Sequence, residues 1–189
     1  MGLHSLSLKE IGMDKLKGEH IRLRALEPED LQLLYQVENN TGVWEVSGTV
    51  SPYSKFVLKQ YLDNAHRDIY EVKQLRLVVE TLEAGTAVGL IDLYDFDPRH
   101  KRVGLGIVIF EQTQRRKGFA SESIKLLTAY CFEQLDLHQV YACIGSSNTM
   151  SQSLFEKCGF IQTGTRKDWL LRSQGFEDEL FYQLIRHVH

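Results

Sequence analysis

Two hydrophobic periods alternate along the chain, and the switches between them mark its elements. Over 20–25, Ile21, Leu23 and Ala25 fall on one face and Arg22 and Arg24 on the other, the two-residue repeat of a half-buried strand. Pro28, Glu29 and Asp30 suit the first turn of a helix. Its Leu31, Leu34, Tyr35 and Glu38 recur at helical spacing until Asn39, Asn40 and Gly42 stop it. Ser54 is placed to cap a second helix carrying Val57, Leu58, Tyr61 and Leu62. Residues 75–82 and 87–96 read as the strands of a hairpin about a glycine turn at 83–86, and 103–110 as a β-branched strand. Over 119–135, Ala120, Ile124, Leu127, Cys131 and Leu135 share one helical face. A short strand at 140–144, a short helix at 151–157 closed by Gly159, and strands at 160–165 and 179–185 follow. The pattern predicts a single α/β domain over 18–189 behind a flexible leader over 1–17.

Composition narrows the class. With 189 residues, 43 % of them hydrophobic, the chain can bury one sizeable core. Lys plus Arg is 22 against Asp plus Glu 25, a formal charge of −3, so nothing global draws it to nucleic acid or an anionic membrane, and neither is expected as a partner. Three cysteines in no metal-binding spacing suggest neither a disulfide framework nor a metal site, and a reducing cytoplasm is the expected setting. His187 and His189 lack a third ligand at suitable spacing, which leaves metal binding unsupported.

Chemistry concentrates in 107–121, IVIFEQTQRRKGFAS, where an apolar strand meets a basic glycine turn and then an amphipathic helix. The first amides of a helix have no intrahelical acceptor and sit at its positive end, so a phosphate placed there satisfies both. Gly118 permits close approach, and Arg115, Arg116 and Lys117 add charge. The nucleotide triphosphate loop G-x-x-x-x-G-K-[ST] is absent, and the G-x-G of Gly104 and Gly106 has Ile109 at its sixth position.

What remains is R-x-x-G-x-A, spelled Arg115, Arg116, Lys117, Gly118, Phe119 and Ala120, followed downstream by Asn148, Ser151, Leu154, Phe155, Lys157, Gly159 and Phe160 as N-x-x-S-x-x-L-F-x-K-x-G-F. In these two motifs the sequence resembles the GNAT superfamily of acetyl-CoA-dependent N-acetyltransferases. The opening IRLRALEPEDL resembles the branch containing ribosomal-protein and spermidine acetyltransferases. The resemblance spans roughly 18–185. It implies an α/β fold with a mixed, mostly antiparallel sheet of about seven strands, helices on both faces and a splayed strand pair forming the acetyl-CoA cleft.

By that resemblance, Val108, Ile109 and Phe110 meet pantetheine as an added strand would, Arg115, Arg116, Lys117, Gly118, Phe119 and Ala120 hold pyrophosphate, and Asn148 bonds the cofactor arm, a role that coexists with a plain helix cap. Two departures stand out. Phe155 occupies the cofactor-side position where many relatives place a Tyr acid, and Phe donates no proton. Gly104 aligns where relatives often carry a Glu base. Asp92, at a position where spermidine acetyltransferases carry Glu, is the candidate base, against the plainer reading of a strand-face carboxylate. Glu38, Trp44 and Glu45 lie where the family binds its acceptor, and carboxylates beside an aromatic suit a cationic amine. The leading expectation is acetyl transfer to a primary amine, on a polyamine-like molecule or a protein N-terminus. A non-catalytic acyl-CoA-binding sensor is the alternative, and a homo-oligomer is left open.

Overall fold

The computed structural model describes residues 14–42, 44, 49–110 and 117–186. A seven-stranded sheet runs in the order β1-β2-β3-β4-β5-β7-β6, with β1 Ile21–Ala25, β2 Leu75–Thr81, β3 Ala87–Asp97, β4 Arg102–Ile109, β5 Gln139–Gly145, β6 Ile161–Arg172 and β7 Gly175–Ile185. Every neighbouring pair is antiparallel except β4 and β5. The helices are α1 Leu31–Glu38, α2 Lys55–Asp63, α3 Ile69–Val72, α4 Phe119–Glu133 and α5 Thr149–Lys157. This is the expected mostly antiparallel α/β architecture with helices on both faces.

Strand alternation sorts side chains between two cores. Ile21, Leu77, Ile91, Leu105 and Val140 join Ile124, Leu127 and Cys131 of α4 and Phe155 of α5 in the larger one. Val78 and Leu90, one position out of phase, meet Leu34 and Val37 of α1 and Leu58 of α2 in the smaller. Leu16, in a short 3-10 turn over Asp14–Leu16, packs on the larger core. Residues 1–13 of the expected leader lie outside the described residues.

Local chemistry fixes the joins. The carboxylate of Glu122, in the first turn of α4, accepts from the backbone N–H of His20 at 2.9 Å and so ties that helix to the start of β1. Gly18 keeps the approach open, because a Cβ there lies 2.0 Å from Glu122 Oε1. Ser54 caps α2 by accepting from the Val57 amide.

Two features depart from the sequence reading. The α3 turn has no signal strong enough to call. The strands β6 and β7 extend far beyond 160–165 and 179–185, to a turn at Gly175. The outer half of β6 is largely exposed and that of β7 carries half-buried acidic residues, so no apolar alternation marks them; Arg166–Glu179, Lys167–Asp178 and Arg172–Glu177 ion pairs hold them instead. No described helix is long and apolar enough to cross a membrane.

Candidate active site

The ladder between the parallel strands β4 and β5 ends early. It joins Arg102 to Gln139, Val103 to Val140 and Gly104 to Tyr141, and no further pair follows although both strands continue. The strands therefore fork from Gly104 onward, while β4 remains paired to β3 as far as Gly89–Ile109. Both strands run toward the open end of the fork, and each leads to a helix N-terminus there: α4 after β4, α5 after β5. An extended ligand arm inserted between them finds backbone on one side and helix amides at the mouth.

Gly118 is the N-cap of α4, with φ +88°, and no side chain caps the helix. The first intrahelical bond closes from Glu122 N–H to Gly118 C=O at 2.9 Å, leaving the amides of Phe119, Ala120 and Ser121 ahead of it. Among the described residues, nothing lies within 4 Å of the position a Gly118 Cβ would take. The positive φ is readily available only to glycine, and the missing Cβ leaves room for a bulky anion. Lys117 is exposed at the same bend. Arg115 and Arg116 lie outside the described residues.

Asn148 is the N-cap of α5, its side-chain oxygen accepting from Ser151 N–H at 3.1 Å. The capping role is thus realised, and it fixes Asn148 at the fork's mouth. Val108 and Phe110 pack against the smaller core and Ile109 against the larger, all partly buried. Phe155 is 4 % exposed, set edge-to-face on Phe160 with centroids 5.0 Å apart, so it belongs to the core rather than to an open ligand surface.

On the sheet face covered by α1 and α2, a cleft of about 320 Å³ opens between Glu38, Tyr53, Val57, Tyr61, Arg76, Asp92 and Tyr94 and their neighbours. Here the sequence candidates Glu38 and Asp92 come together through a residue that sequence reading missed. Arg76 of β2 grips Asp92 with Nε at 2.6 Å and Nη2 at 3.1 Å, and its Nη1 donates to Glu38. The Tyr61 ring stacks beneath the guanidinium at 5.9 Å. Burial works against the charge on Arg76, but Asp92 and Glu38 outweigh it and hold its pKa above the ordinary value. Arg76 therefore stays cationic. Two carboxylates and one guanidinium leave one net negative charge facing the cleft.

Asn39 shapes the rim: its side chain both donates to the Tyr53 carbonyl at 3.0 Å and accepts from the Tyr53 amide at 2.9 Å, pinning Tyr53 to the end of α1. Trp44 is not on the cleft wall; its indole N–H donates to the Glu38 carbonyl at 2.6 Å, so it holds the helix end that carries Glu38. Glu45 lies outside the described residues. Asp92 pairs directly across with Gly106, and Tyr94 with Gly104, so the β4 positions facing this cleft carry no side chains of their own. The cleft and the fork meet across these two glycines.

A family model described as an acetyltransferase (GNAT) domain matches residues 20–161. The spermidine N(1)-acetyltransferase of Vibrio cholerae serotype O1 is 31 % identical over 147 residues, which is 78 % of this chain and 82 % of that one. A putative ribosomal N-acetyltransferase, YdaF of Bacillus subtilis, is 25 % identical over 177 residues, 89 % and 93 % of the two chains. A crystal structure of spermidine N-acetyltransferase from Vibrio cholerae in complex with CoA and spermine superposes with TM-score 0.76 at 27 % identity, covering 87 % of this chain and 95 % of that one. A dodecameric structure of the enzyme from that organism superposes with TM-score 0.72 at 28 % identity, covering 87 % and 93 %.

Proposed function

The chain belongs to the acetyltransferase (GNAT) family and transfers an acetyl group from acetyl-CoA to an amine, and from that premise we propose that its acceptor is a small polycationic amine of the polyamine class. One observation carries the choice: the acceptor cleft holds Glu38 and Asp92 around a single arginine, with tyrosines on its walls. A polyamine offers several ammonium groups at intervals, so one reacts while another stays charged against a carboxylate. A protein N-terminus presents one amine and needs room for the chain behind it. The relatives that act on spermidine support the same reading.

In this mechanism acetyl-CoA is the co-substrate, its pyrophosphate on the amides of Phe119 and Ala120 with Lys117, Arg115 and Arg116 adding charge, and its arm along Val108, Ile109 and Phe110 with Asn148 opposite. The reacting amine must be neutral to attack the thioester carbonyl. Asp92, directly or through water, takes its proton. Carboxylate oxygens together offer about four acceptor sites, so those already engaged by Arg76 leave room for an ammonium. Glu38 holds a second ammonium, and backbone N–H groups of β4 face the developing oxyanion.

Relatives named as acetyltransferases favour catalysis over a binding-only sensor. We also propose self-association, supported by the dodecameric relative and by exposed Trp169, Leu171 and Phe176 on the β6–β7 hairpin. An acceptor panel read by mass spectrometry tests the substrate: spermidine and spermine are acetylated faster than peptides with free N-termini. Faster acetylation of the peptides would overturn the polyamine assignment while leaving the transferase intact.

A further inference from the structure

Neither group that the family resemblance offers for protonating the leaving thiolate or deprotonating the amine at the fork is present: Phe155 carries no hydroxyl and Gly104 no side chain. The structure fills that gap from an unexpected strand. Tyr94, on β3, lays its ring across Gly104, where an added Cβ would sit 2.2 Å from Tyr94 Cε2 and 2.5 Å from Cζ. No side chain at position 104 is compatible with this ring position. The glycine and the tyrosine are therefore a matched pair, one vacating the space that the other crosses.

The crossing ends at the fork. Tyr94 meets Tyr141 of β5 edge-to-face, centroids 5.9 Å apart, and Tyr141 is the last β5 residue paired to β4. The Tyr94 hydroxyl has Cys143, two residues further along β5 and past the end of the ladder, as its polar neighbour. The Tyr141 hydroxyl is aimed elsewhere, at Asp95 Oδ2 3.5 Å away. Tyr94 also borders the acceptor cleft together with Asp92. It is thus a hydroxyl-bearing side chain common to the vertex of the fork and the cleft lined by Asp92 and Glu38.

We propose that Tyr94 is the proton donor to the leaving thiolate of coenzyme A, in place of the tyrosine that Phe155 replaces. The inference rests on placing the cofactor arm along β4. As the amine nitrogen bonds to the acetyl carbon, the C–S bond breaks and its electron pair passes to sulfur. The sulfur takes the Tyr94 hydroxyl proton, and the phenolate oxygen recovers a proton from the nitrogen as the amide forms. Amine and thioester give amide and thiol, with no further reactant.

Tyr94→Phe tests this cleanly, since the ring over Gly104 remains and only the oxygen is lost. Expected are an unchanged melting temperature, unchanged CoA affinity by calorimetry, and a kcat about 100-fold lower with little change in the amine KM, the scale of a lost general acid. Gly104→Ala, which displaces the ring, is expected to reproduce the kcat loss. An unaltered kcat in Tyr94→Phe, or a loss confined to CoA affinity or KM, overturns the assignment. Gly118→Val separates this from the cofactor placement: it strains a backbone at φ +88° and adds bulk at the helix end, so CoA binding weakens there. Unchanged CoA affinity in Gly118→Val rejects the cofactor placement itself.

Discussion

Two arginines on neighbouring strands, each set between two carboxylates on the same face of the sheet, serve different ends. Arg24 of β1 binds Asp30 and Glu80, joining the first strands to the turn that starts α1, and those carboxylates are only 9 % and 8 % exposed. Arg76 of β2 binds Glu38 and Asp92, but Asp92 is 29 % exposed and the whole group lines a cleft. The closed network, its carboxylates nearly buried, reads as a structural clamp. In the proposed function, the open one trades a guanidinium contact for a substrate ammonium. Accessibility, rather than residue type, separates the clamp from the site.

The largest expected effect is on the open network. Asp92→Asn preserves size and the Arg76 contact at one oxygen but removes the proton acceptor, so turnover falls about 100-fold while CoA affinity in calorimetry is kept. Near-normal turnover would return Asp92 to the role of a strand-face carboxylate. On the closed network, Glu80→Ala removes the carboxylate that Arg22 and Arg24 share and leaves Arg24 to Asp30 alone, costing about 2 kcal/mol of unfolding free energy in urea titration. Glu38→Gln, by contrast, costs less stability and raises the amine KM. If denaturation ranked these two the other way round, the division into clamp and site would fail.

A smaller effect is a pH dependence of the clamp. Burial acts to raise the pKa values of Asp30 and Glu80, but hydrogen bonds from Arg24, with the Glu27 amide for Asp30 and Arg22 for Glu80, lower both below their ordinary 3.8 and 4.5. Carboxylates with depressed folded values stabilise the protein fully above the ordinary values and stop doing so as pH falls through the lowered ones. The thermal midpoint should therefore hold level down to mildly acidic solution and drop below pH 4.5. A midpoint insensitive to acid in that window would remove the clamp from the stability account.

Much of this was legible in the chain. Alternation such as Ile21, Leu23 against Arg22, Arg24 located β1, and the strand–basic turn–helix order located the helix end at Gly118, because burial and helix geometry impose periods on sequence. The outer β6–β7 hairpin was not, since strands held by charged pairs rather than by a buried apolar face carry no hydrophobic period. Arg76 was also missed. Its signal was a lone charge inside the apolar run LRLVV, but its partners, 38 residues before and 16 after, are set by strand register and helix docking. The Tyr94–Gly104 pairing likewise exists only in register. Phe155 was read as cofactor-side from the motif alone, whereas the fold packs it on Phe160.

The most direct test of the account is a crystal structure of the protein with CoA and spermine bound together. The account predicts diphosphate oxygens on the Phe119 and Ala120 amides, the cofactor arm in the β4–β5 fork with its sulfur near the Tyr94 hydroxyl, and ammonium groups against Asp92 and Glu38. Spermine seated elsewhere with the Arg76 cleft empty, or CoA outside the fork, would contradict it.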